Sequence, residues 1–255
     1  MAGDGVAVEI SGVHKRFGDK VIYRGLDLTV QRGETLTVLG PSGVGKSVML
    51  RMLVRLQRPD GGRIVVDGSD LARLDDAGLR GLRRKVGMLF QGSALFDSMS
   101  VGDNVAYGLR EHYRWPAEKM KARVAECLEW VGLPGIEAMR PADLSGGMKK
   151  RVALARALAP GPEVILYDEP TTGLDPANTR RINELIVSLQ ERLKVTSVVI
   201  THDISAALAV ADRVALLEGG RIALIVGAEE AGRSPPQQLE QFMRGEEGES
   251  DERRA

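Results

Sequence analysis

Residues 40–47 have the types and spacing of a loop that binds phosphate. They read Gly-Pro-Ser-Gly-Val-Gly-Lys-Ser and fit the pattern G-x-x-x-x-G-K-[ST] at every position. Glycines let backbone N–H groups converge on phosphate oxygens, and the N-terminus of a following helix adds a partial positive charge. Lys46 would then reach the β- and γ-phosphates of a nucleotide, and the Ser47 hydroxyl would bind Mg²⁺. The nucleotide-binding residues predicted in this stretch are Gly40, Pro41, Ser42, Gly43, Val44, Gly45, Lys46, Ser47 and Val48.

The flanking residues supply the strand and the helix that such a loop requires. An apolar run, residues 36–39, precedes the loop, and a helix-like run, residues 48–56, follows it. The plainer alternative is a chance turn, since the bare pattern arises by accident in about 1% of chains of this length. The order of strand, loop and helix makes nucleotide binding the better interpretation.

Polar residues directly follow three further apolar runs. Gln91 follows residues 86–90, Asp168 and Glu169 follow residues 164–167, and Thr201 and His202 follow residues 195–200. Sheets of alternating strands and helices bind ligands at the carboxyl ends of their strands, so these side chains are expected at one edge. There Asp168 would hold Mg²⁺ through water, and Glu169 would orient or deprotonate an attacking water.

Each of these residues also has a structural interpretation. Asp168 and Glu169 could be an ordinary polar strand end, although the upstream phosphate loop weighs against it. Gln91 could make a loop hydrogen bond, and a lone histidine such as His202 is usually structural. For Gln91 and His202 the two interpretations stay equally open on the residues alone.

Ser145-Gly146-Gly147 precedes a helix predicted from residue 149 to residue 159 and is a second candidate anion site. A helix N-terminus attracts anions, but an ordinary N-cap at Ser145 is the favoured interpretation of this stretch alone. In a chain that already has one phosphate loop, the second element either folds onto the same nucleotide or serves the nucleotide of a second copy.

Phe17 and Asp175 give weaker signals. Phe17 precedes a Gly-Asp turn and could stack on a nucleotide base, but its residue type alone favours a core position. Asp175 is followed by Pro176, a combination typical of the N-cap and first position of a helix.

The pattern along the rest of the chain predicts an α/β core with a helical lobe inserted into it. Residues 6–39 read as short strands joined by turns, and residues 92–143 read as helices. Within the lobe, an apolar stripe recurs at helical spacing at Met120, Val124, Leu128 and Val131. The preceding loop is unusually apolar at Leu95, Phe96 and Met99, which are either core residues or a contact for another protein.

The overall composition argues against several classes of protein. Lysine plus arginine and aspartate plus glutamate both number 35, and the resulting zero net charge argues against a nucleic-acid-binding surface. Cys127 is the one cysteine in the sequence; it suits a reducing compartment and is interpreted as a small buried side chain. The sequence shows no secretory signal and no apolar segment of about 18 residues. We expect a soluble, cytoplasmic protein that serves a membrane only through a partner.

Taken together, these stretches resemble the ATP-binding-cassette (ABC) ATPases over residues 6–227. The matching segments, in the family's order, are residues 40–47, 91, 144–147, 164–169, 172–175 and 202. The resemblance implies a P-loop NTPase (RecA-like) α/β core with an N-terminal antiparallel β subdomain and a helical subdomain inserted at about residues 92–147. Residues 228–255 would form a C-terminal extension, with a short helix at 237–243 and a charged, disordered end from residue 245.

The resemblance also implies roles for single residues. Phe17 would stack on adenine, and Gln91 would touch Mg²⁺ or water and sense the transporter. Ser145, Gly146 and Gly147 would bind the γ-phosphate held by the opposite subunit. Asp175 would communicate across the dimer, and His202 would contact the γ-phosphate. Met148 departs from the family, which mostly has glutamine there, and this puts in doubt any polar contact of that side chain.

The implied activity is ATP hydrolysis that drives a membrane permease, with two copies paired head to tail around two Mg-ATP. Glu169, His202 and Gln91 would be catalytic, and Ser47, Gln91 and Asp168 would bind Mg²⁺. A non-transport ABC ATPase acting on DNA or ribosomes is disfavoured, since those usually carry two cassettes or a long coiled coil. A module that senses ATP without hydrolysing it is disfavoured by the presence of Glu169 and His202.

A narrower resemblance is to the ATPases of MCE-type phospholipid transporters, the maintenance-of-lipid-asymmetry group. It rests on residues 90–99, 109–112 and 144–151. It implies a location on the cytoplasmic side of the inner membrane, bound through the permease. It also implies an MCE-domain lipid-binding partner, a small regulatory subunit, and phospholipid cargo moved between two membranes. The nearest rival is a transporter of another cargo, such as amino acids or metal ions.

Overall fold

The computed structural model describes residues 5–245, which form two β-sheets and the helices packed against them. The strands of the first sheet are β1 (Val6–Phe17), β2 (Lys20–Gln31), β4 (Gly61–Val66) and β5 (Ser69–Asp70). They pair antiparallel in the order β2-β1-β4-β5. Strands β4 and β5 are joined by Asp67 and Gly68, which have φ angles of 47° and 72°. Two consecutive positive φ values are what a tight two-residue hairpin turn demands.

The second sheet contains the strands that carry the candidate site. Its strands are β3 (Thr35–Leu39), β6 (Val86–Leu89), β7 (Val164–Asp168), β8 (Thr196–Thr201), β9 (Arg213–Glu218) and β10 (Arg221–Gly227). Their order is β10-β9-β3-β8-β7-β6, and all neighbours are parallel except β10 and β9. Every residue of β3, β7 and β8 is buried, as expected where both faces of a parallel sheet are covered.

The helices follow the strands in an alternating pattern typical of α/β folds. They are α1 (Lys46–Leu53), α2 (Asp76–Lys85), α3 (Val101–His112), α4 (Ala117–Trp130), α5 (Gly146–Leu158), α6 (Pro176–Leu193), α7 (Ile204–Val210), α8 (Ala228–Arg233) and α9 (Gln237–Arg244). None of the helices within residues 5–245 is long and apolar enough to cross a bilayer. The α/β fold class is confirmed, with the antiparallel sheet at the N-terminal side and α3 and α4 between β6 and β7.

The apolar stripe predicted on α4 packs into a core shared with α3 and α5. Val124, Leu128 and Val131 are buried there, and Met120 packs against the same cluster half-buried. Cys127 lies beside them as a buried thiol, and burial raises its pKa to about 11. The interpretation of Cys127 as a small buried side chain is therefore confirmed.

A buried carboxylate connects the antiparallel sheet to the parallel sheet. The side chain of Asp67 is 5% exposed and accepts hydrogen bonds from Arg32 and, at 2.6 Å, from Lys85 Nζ. Burial raises the pKa of Asp67, but Lys85 and Arg32 outweigh it and hold this pKa below its ordinary value. The hairpin turn of one sheet is thereby held against the residues that precede β3 and β6.

Several predicted boundaries were wrong. Helix α1 begins two residues earlier than predicted and ends three residues earlier, at Leu53. Arg55, two residues further on, adopts a left-handed φ of 53°. Helix α5 begins at Gly146, because the Ser145 cap makes glycine acceptable in the first turn. Helix α9 matches the short helix predicted at 237–243, whereas α8 was not predicted. The disorder predicted from residue 245 concerns residues that, after Gly245, lie outside the described part.

Candidate functional site

The glycine-rich loop runs between β3 and α1, and two of its glycines are required by close approaches. At Gly40, a Cβ atom would lie 2.6 Å from the carbonyl oxygen of Leu217 in β9. At Gly45, φ is 116°, and a Cβ atom would lie 2.6 Å from Cγ2 of Ile22. A side chain at either position would push the loop away from its neighbours, so only glycine keeps this path.

Lys46 is folded into the loop that it follows. Its side chain is 6% exposed, and its ammonium donates hydrogen bonds to the carbonyl oxygens of Gly40, at 2.6 Å, and Pro41, at 3.0 Å. Its Nζ atom also lies 3.7 Å from Oε1 of Glu169. Burial lowers the pKa of Lys46, and the charge of Glu169 opposes that shift. A cation is thus held at the centre of the loop, where phosphate oxygens could replace its carbonyl partners.

Ser47 and Asp168 place two oxygen ligands side by side. The Ser47 hydroxyl donates a hydrogen bond of 2.8 Å to Oδ1 of Asp168. Burial raises the pKa of Asp168, and the Ser47 hydroxyl opposes that shift. Within residues 5–245, no three His, Cys, Asp or Glu side chains converge as a metal site. A hydroxyl and a single carboxylate nevertheless fit Mg²⁺, which takes few protein ligands and completes its shell with water and phosphate.

Glu169 lies directly after β7 in an unusual backbone conformation. Its φ is 49°, a left-handed value that is uncommon outside glycine. Its Oε2 atom lies 3.0 Å from Nδ1 of His202 and accepts a 3.1 Å hydrogen bond from the Thr172 hydroxyl. The carboxylate is therefore oriented by two neighbours while its Oε1 faces Lys46.

One cavity of about 460 Å³ brings most of the predicted residues together. It is lined by Phe17, Lys20, Ile22, Ser42, Gly43, Gly45, Lys46, Ser47, Val48, Gln91, Glu169 and His202. Phe17 is 44% exposed at its edge, with the Lys15 ammonium 5.1 Å from the centre of the ring. The core interpretation of Phe17 is therefore wrong, and the ring is available for stacking.

The Ser-Gly-Gly segment and Asp175 do not line this cavity but pack against each other. Ser145 Oγ accepts a 3.3 Å hydrogen bond from the amide of Met148 as the N-cap of α5, and Asp175 caps α6. Asp175 also accepts a 2.6 Å hydrogen bond from Asn178, whose Oδ1 lies 2.5 Å from where a Gly147 Cβ would be. Both capping interpretations are thus confirmed, while the starts of α5 and α6 form a second cluster.

Two residues near the cavity could not be recognised as part of the site from the sequence. Tyr23 in β2 is buried and donates a 2.6 Å hydrogen bond from its hydroxyl to the carbonyl oxygen of Gly45. Lys150 in α5 is buried and donates to the carbonyl oxygens of Gln91 and Glu169. Tyr23 resembles any core aromatic in sequence, and Lys150 resembles any helix-surface lysine.

Comparisons with known proteins agree with this geometry. A family described as "ABC transporter" matches residues 23–172. The chain is 39% identical over 239 residues to an intermembrane phospholipid transport ATP-binding protein, MlaF, of Haemophilus influenzae, covering 94% of this chain and 90% of that protein. It is 39% identical over 241 residues to a probable ribonucleotide transport ATP-binding protein, mkl, of Mycobacterium tuberculosis, covering 94% of this chain and 67% of that protein.

Two further similarities concern a different cargo and a solved structure. The chain is 45% identical over 225 residues to the methionine import ATP-binding protein MetN of Caulobacter vibrioides, covering 88% of this chain and 68% of that protein. A dimeric ATP-binding cassette in a post-hydrolysis state, bound to ADP and Pi, superimposes with a TM-score of 0.79 at 34% identity. That superposition covers 87% of this chain and 98% of the other.

Proposed function

Because the chain belongs to the ABC transporter family of ATPases, we propose that it works as a head-to-tail pair that drives a membrane permease. The chain binds and hydrolyses ATP, as the family match and the related cassettes show. The observation that carries the paired arrangement is the position of Ser145–Gly147. This segment lies outside the cavity of its own phosphate loop, yet it presents a helix N-terminus suited to phosphate.

In the proposed pair, each nucleotide lies between the Lys46 loop of one copy and Ser145 of the other. Phe17 stacks on adenine, and Ser47, Asp168 and Gln91 would hold Mg²⁺. When bound there, the ion would supply positive charge that offsets part of the phosphate charge. Glu169 orients the attacking water, His202 contacts the γ-phosphate, and Asp175 contacts the other copy. The related dimeric cassette with ADP and Pi supports this arrangement, and such catalysis is mostly positioning and charge stabilisation.

Two variants test the pair. Glu169→Gln is expected to abolish multiple turnover of ATP while leaving an ATP-dependent dimer, since only the group that orients water changes. Adding Ser145→Arg should remove that dimer without weakening ATP binding to the single chain, because Ser145 is outside the cavity. Phosphate release, analytical ultracentrifugation and titration with a fluorescent ATP analogue measure these properties.

Lys46→Ala is the comparison variant, since it should lose ATP binding itself. If Ser145→Arg weakens ATP binding to the single chain as much as Lys46→Ala does, Ser145 acts on its own nucleotide and the head-to-tail pair is wrong. Substantial multiple turnover by Glu169→Gln would remove Glu169 from its proposed role.

We propose phospholipid as the cargo, moved between inner and outer membranes with an MCE-domain lipid-binding protein and a small regulatory subunit. The similarity to MlaF extends over 94% of the chain and supports this choice. The chain would then lie on the cytoplasmic side of the inner membrane. Its contact with the permease would be the loop at residues 95–99, where Phe96 is exposed and its ring centre lies 4.7 Å from that of Tyr107.

Methionine import is the second candidate, because the identity to MetN is higher, at 45% over 225 residues. Purification of the native complex from membranes decides between the two. Recovery of a permease with an MCE-domain protein supports phospholipid transport. Recovery of a permease with a methionine-binding protein would overturn it.

A further inference from the structure

Helix α5 carries three cationic side chains, of which Lys150 and Arg151 are buried and Arg156 is half-buried, and all three donate to backbone carbonyl oxygens outside the helix. Lys150 donates to Gln91 and Glu169, and Arg151 donates to Val131 and Gly132 at 3.1 and 3.0 Å. Arg156 donates to Ser93 at 2.9 Å and to Ala94 at 2.6 Å. Helix α5, which is capped by Ser145, is therefore bonded to the main chain of three separate loops.

Lys150 connects two of the loops that contain residues of the ATP cavity. Gln91 follows β6 and Glu169 follows β7, which are neighbouring strands of the parallel sheet. Lys150 is 5% exposed, and its ammonium donates to both carbonyl oxygens, lying 3.4 Å from that of Glu169. A buried ammonium needs such partners, because an unpaired charge in this position would be strongly unfavourable.

The backbone at Glu169, which Lys150 contacts, is strained, so this contact can help to hold an unfavourable conformation. Glu169 has a φ of 49°, and Ser93 and Ala94, held by Arg156, have φ values of 62° and 49°. Left-handed conformations of non-glycine residues persist only where surrounding contacts impose them. For Glu169 those contacts are the carbonyl of Ile200, the amide of Thr172 and the ammonium of Lys150.

We propose that Lys150 is a positioning residue for ATP hydrolysis, which sets the backbone of Glu169 and Gln91 from the helix that Ser145 caps. This inference deepens the proposed function and rests on the proposed role of Glu169. Helix α5 begins at the segment assigned to the nucleotide of the second copy, and Lys150 of the same helix contacts Glu169. A shift of that segment would therefore also shift Glu169. Arg156 extends the same link to the loop that leads to Phe96.

Kinetics of Lys150→Met separate positioning from nucleotide binding. The variant keeps the length of the side chain and removes its donors. We expect kcat to fall by about 10- to 100-fold, since small displacements of a catalytic group have effects of this size. KM for ATP should change less than about threefold, because the phosphate loop is untouched. Lys150→Arg should restore most of kcat, and Lys149→Met, on the same helix, is the matched control.

Hydrogen exchange of residues 90–99 provides a second readout that does not depend on turnover. Lys150→Met should speed exchange of this segment relative to Lys149→Met, because the carbonyl of Gln91 is released. If Lys150→Met does not fold, Lys150→Gln, which retains a shorter donor, is compared in the same two measurements.

The outcomes distinguish this inference from the proposed function. A kcat within about twofold of Lys149→Met, or unchanged exchange of residues 90–99, overturns the role of Lys150 even if Glu169→Gln is inactive. Multiple turnover by Glu169→Gln overturns the role of Glu169 instead. A lower kcat with unchanged KM, faster exchange and rescue by Lys150→Arg supports the inference.

Discussion

Tyr23→Phe tests whether the antiparallel sheet supports the phosphate loop. The substitution removes one oxygen atom, whose hydrogen bond to the Gly45 carbonyl is 2.6 Å long, from a side chain that is 1% exposed. The phenylalanine ring keeps the apolar contacts of Tyr23. Any change in stability or affinity therefore reports that hydrogen bond.

The magnitude follows from the bonds that Gly45 keeps. Its carbonyl also accepts from the amides of Val48, at 2.8 Å, and Met49, at 3.1 Å, so the acceptor is not left without a donor. The loss should stay at about 1 kcal/mol, the net value of one hydrogen bond. For a chain of this size, that lowers Tm by about 2–4 °C. Affinity for ATP should fall by at most about fivefold, since ~1.4 kcal/mol corresponds to a factor of ~10.

Tyr167→Phe is the matched control in β7. Tyr167 is fully buried, and its hydroxyl lies near Ser197 without a hydrogen bond of normal geometry to any described residue. Its removal should change Tm by less than about 1 °C and leave ATP affinity unchanged. Thermal unfolding and titration with a fluorescent ATP analogue measure both quantities. If Tyr23→Phe gives the same values as Tyr167→Phe, the Tyr23 hydroxyl does not support the loop.

Two further substitutions test the base site and the junction of the two sheets. Phe17→Ala should weaken ATP binding by about tenfold, a typical effect of losing one base-stacking ring, while Val21→Ala, at similar exposure, should not. Equal affinities of the two variants, measured by the same titration, would remove Phe17 from the base site. Asp67→Asn should lower the free energy of unfolding at pH 7 by about 1 kcal/mol, since the partners of Asp67 are partly exposed. The folded-state pKa of Asp67 is lowered, so its contribution is present above the unfolded value of ~4 and is lost as the pH falls through the folded value. Urea unfolding should therefore show the difference shrinking with acid, and a constant difference would contradict this.

The phosphate loop and the edge of the parallel sheet could be predicted because they depend on local patterns. A glycine-rich stretch between an apolar run and a helix is recognisable without knowledge of the tertiary structure. Parallel strands also end at the same edge whatever their order. Gln91, Glu169 and His202 therefore line one cavity with Lys46, as expected from the ends of their strands.

The aromatic residues of the antiparallel sheet could not be predicted in the same way. Phe17 and Tyr23 lie on paired strands whose register shifts between Ile10 and Val13 and again between Lys15 and Arg16. Each irregularity changes which side chains face the loop, and periodicity in the sequence does not reveal them. The residue type of Phe17 therefore favoured the core, and only the family resemblance predicted that it stacks on adenine. The contact of Tyr23 with Gly45 was missed.

The start of helix α5 and its contacts with distant loops could not be predicted from the sequence pattern either. The helix was predicted to begin at residue 149, but it begins at Gly146. Glycine has a low helix propensity, and the cap at Ser145 makes it acceptable at the first two positions. Three of the carbonyl partners of Lys150 and Arg156, those of Gln91, Ser93 and Ala94, lie about 60 positions away in the chain. The packing of α5 against β6 brings these segments together, and the periodicity of the sequence gives no sign of this long-range contact.

The contacts between side chains of α5 and loop carbonyl oxygens affect which substitutions the loops can accept during evolution. Every residue has a backbone carbonyl, so Lys150, Arg151 and Arg156 hold the path of the three loops without depending on which side chains those loops carry. Substitutions in the loops that preserve the main-chain path leave these links intact. Exposed side chains such as Phe96 are therefore free to vary and to suit different membrane partners, while the internal framework that holds Glu169 stays the same.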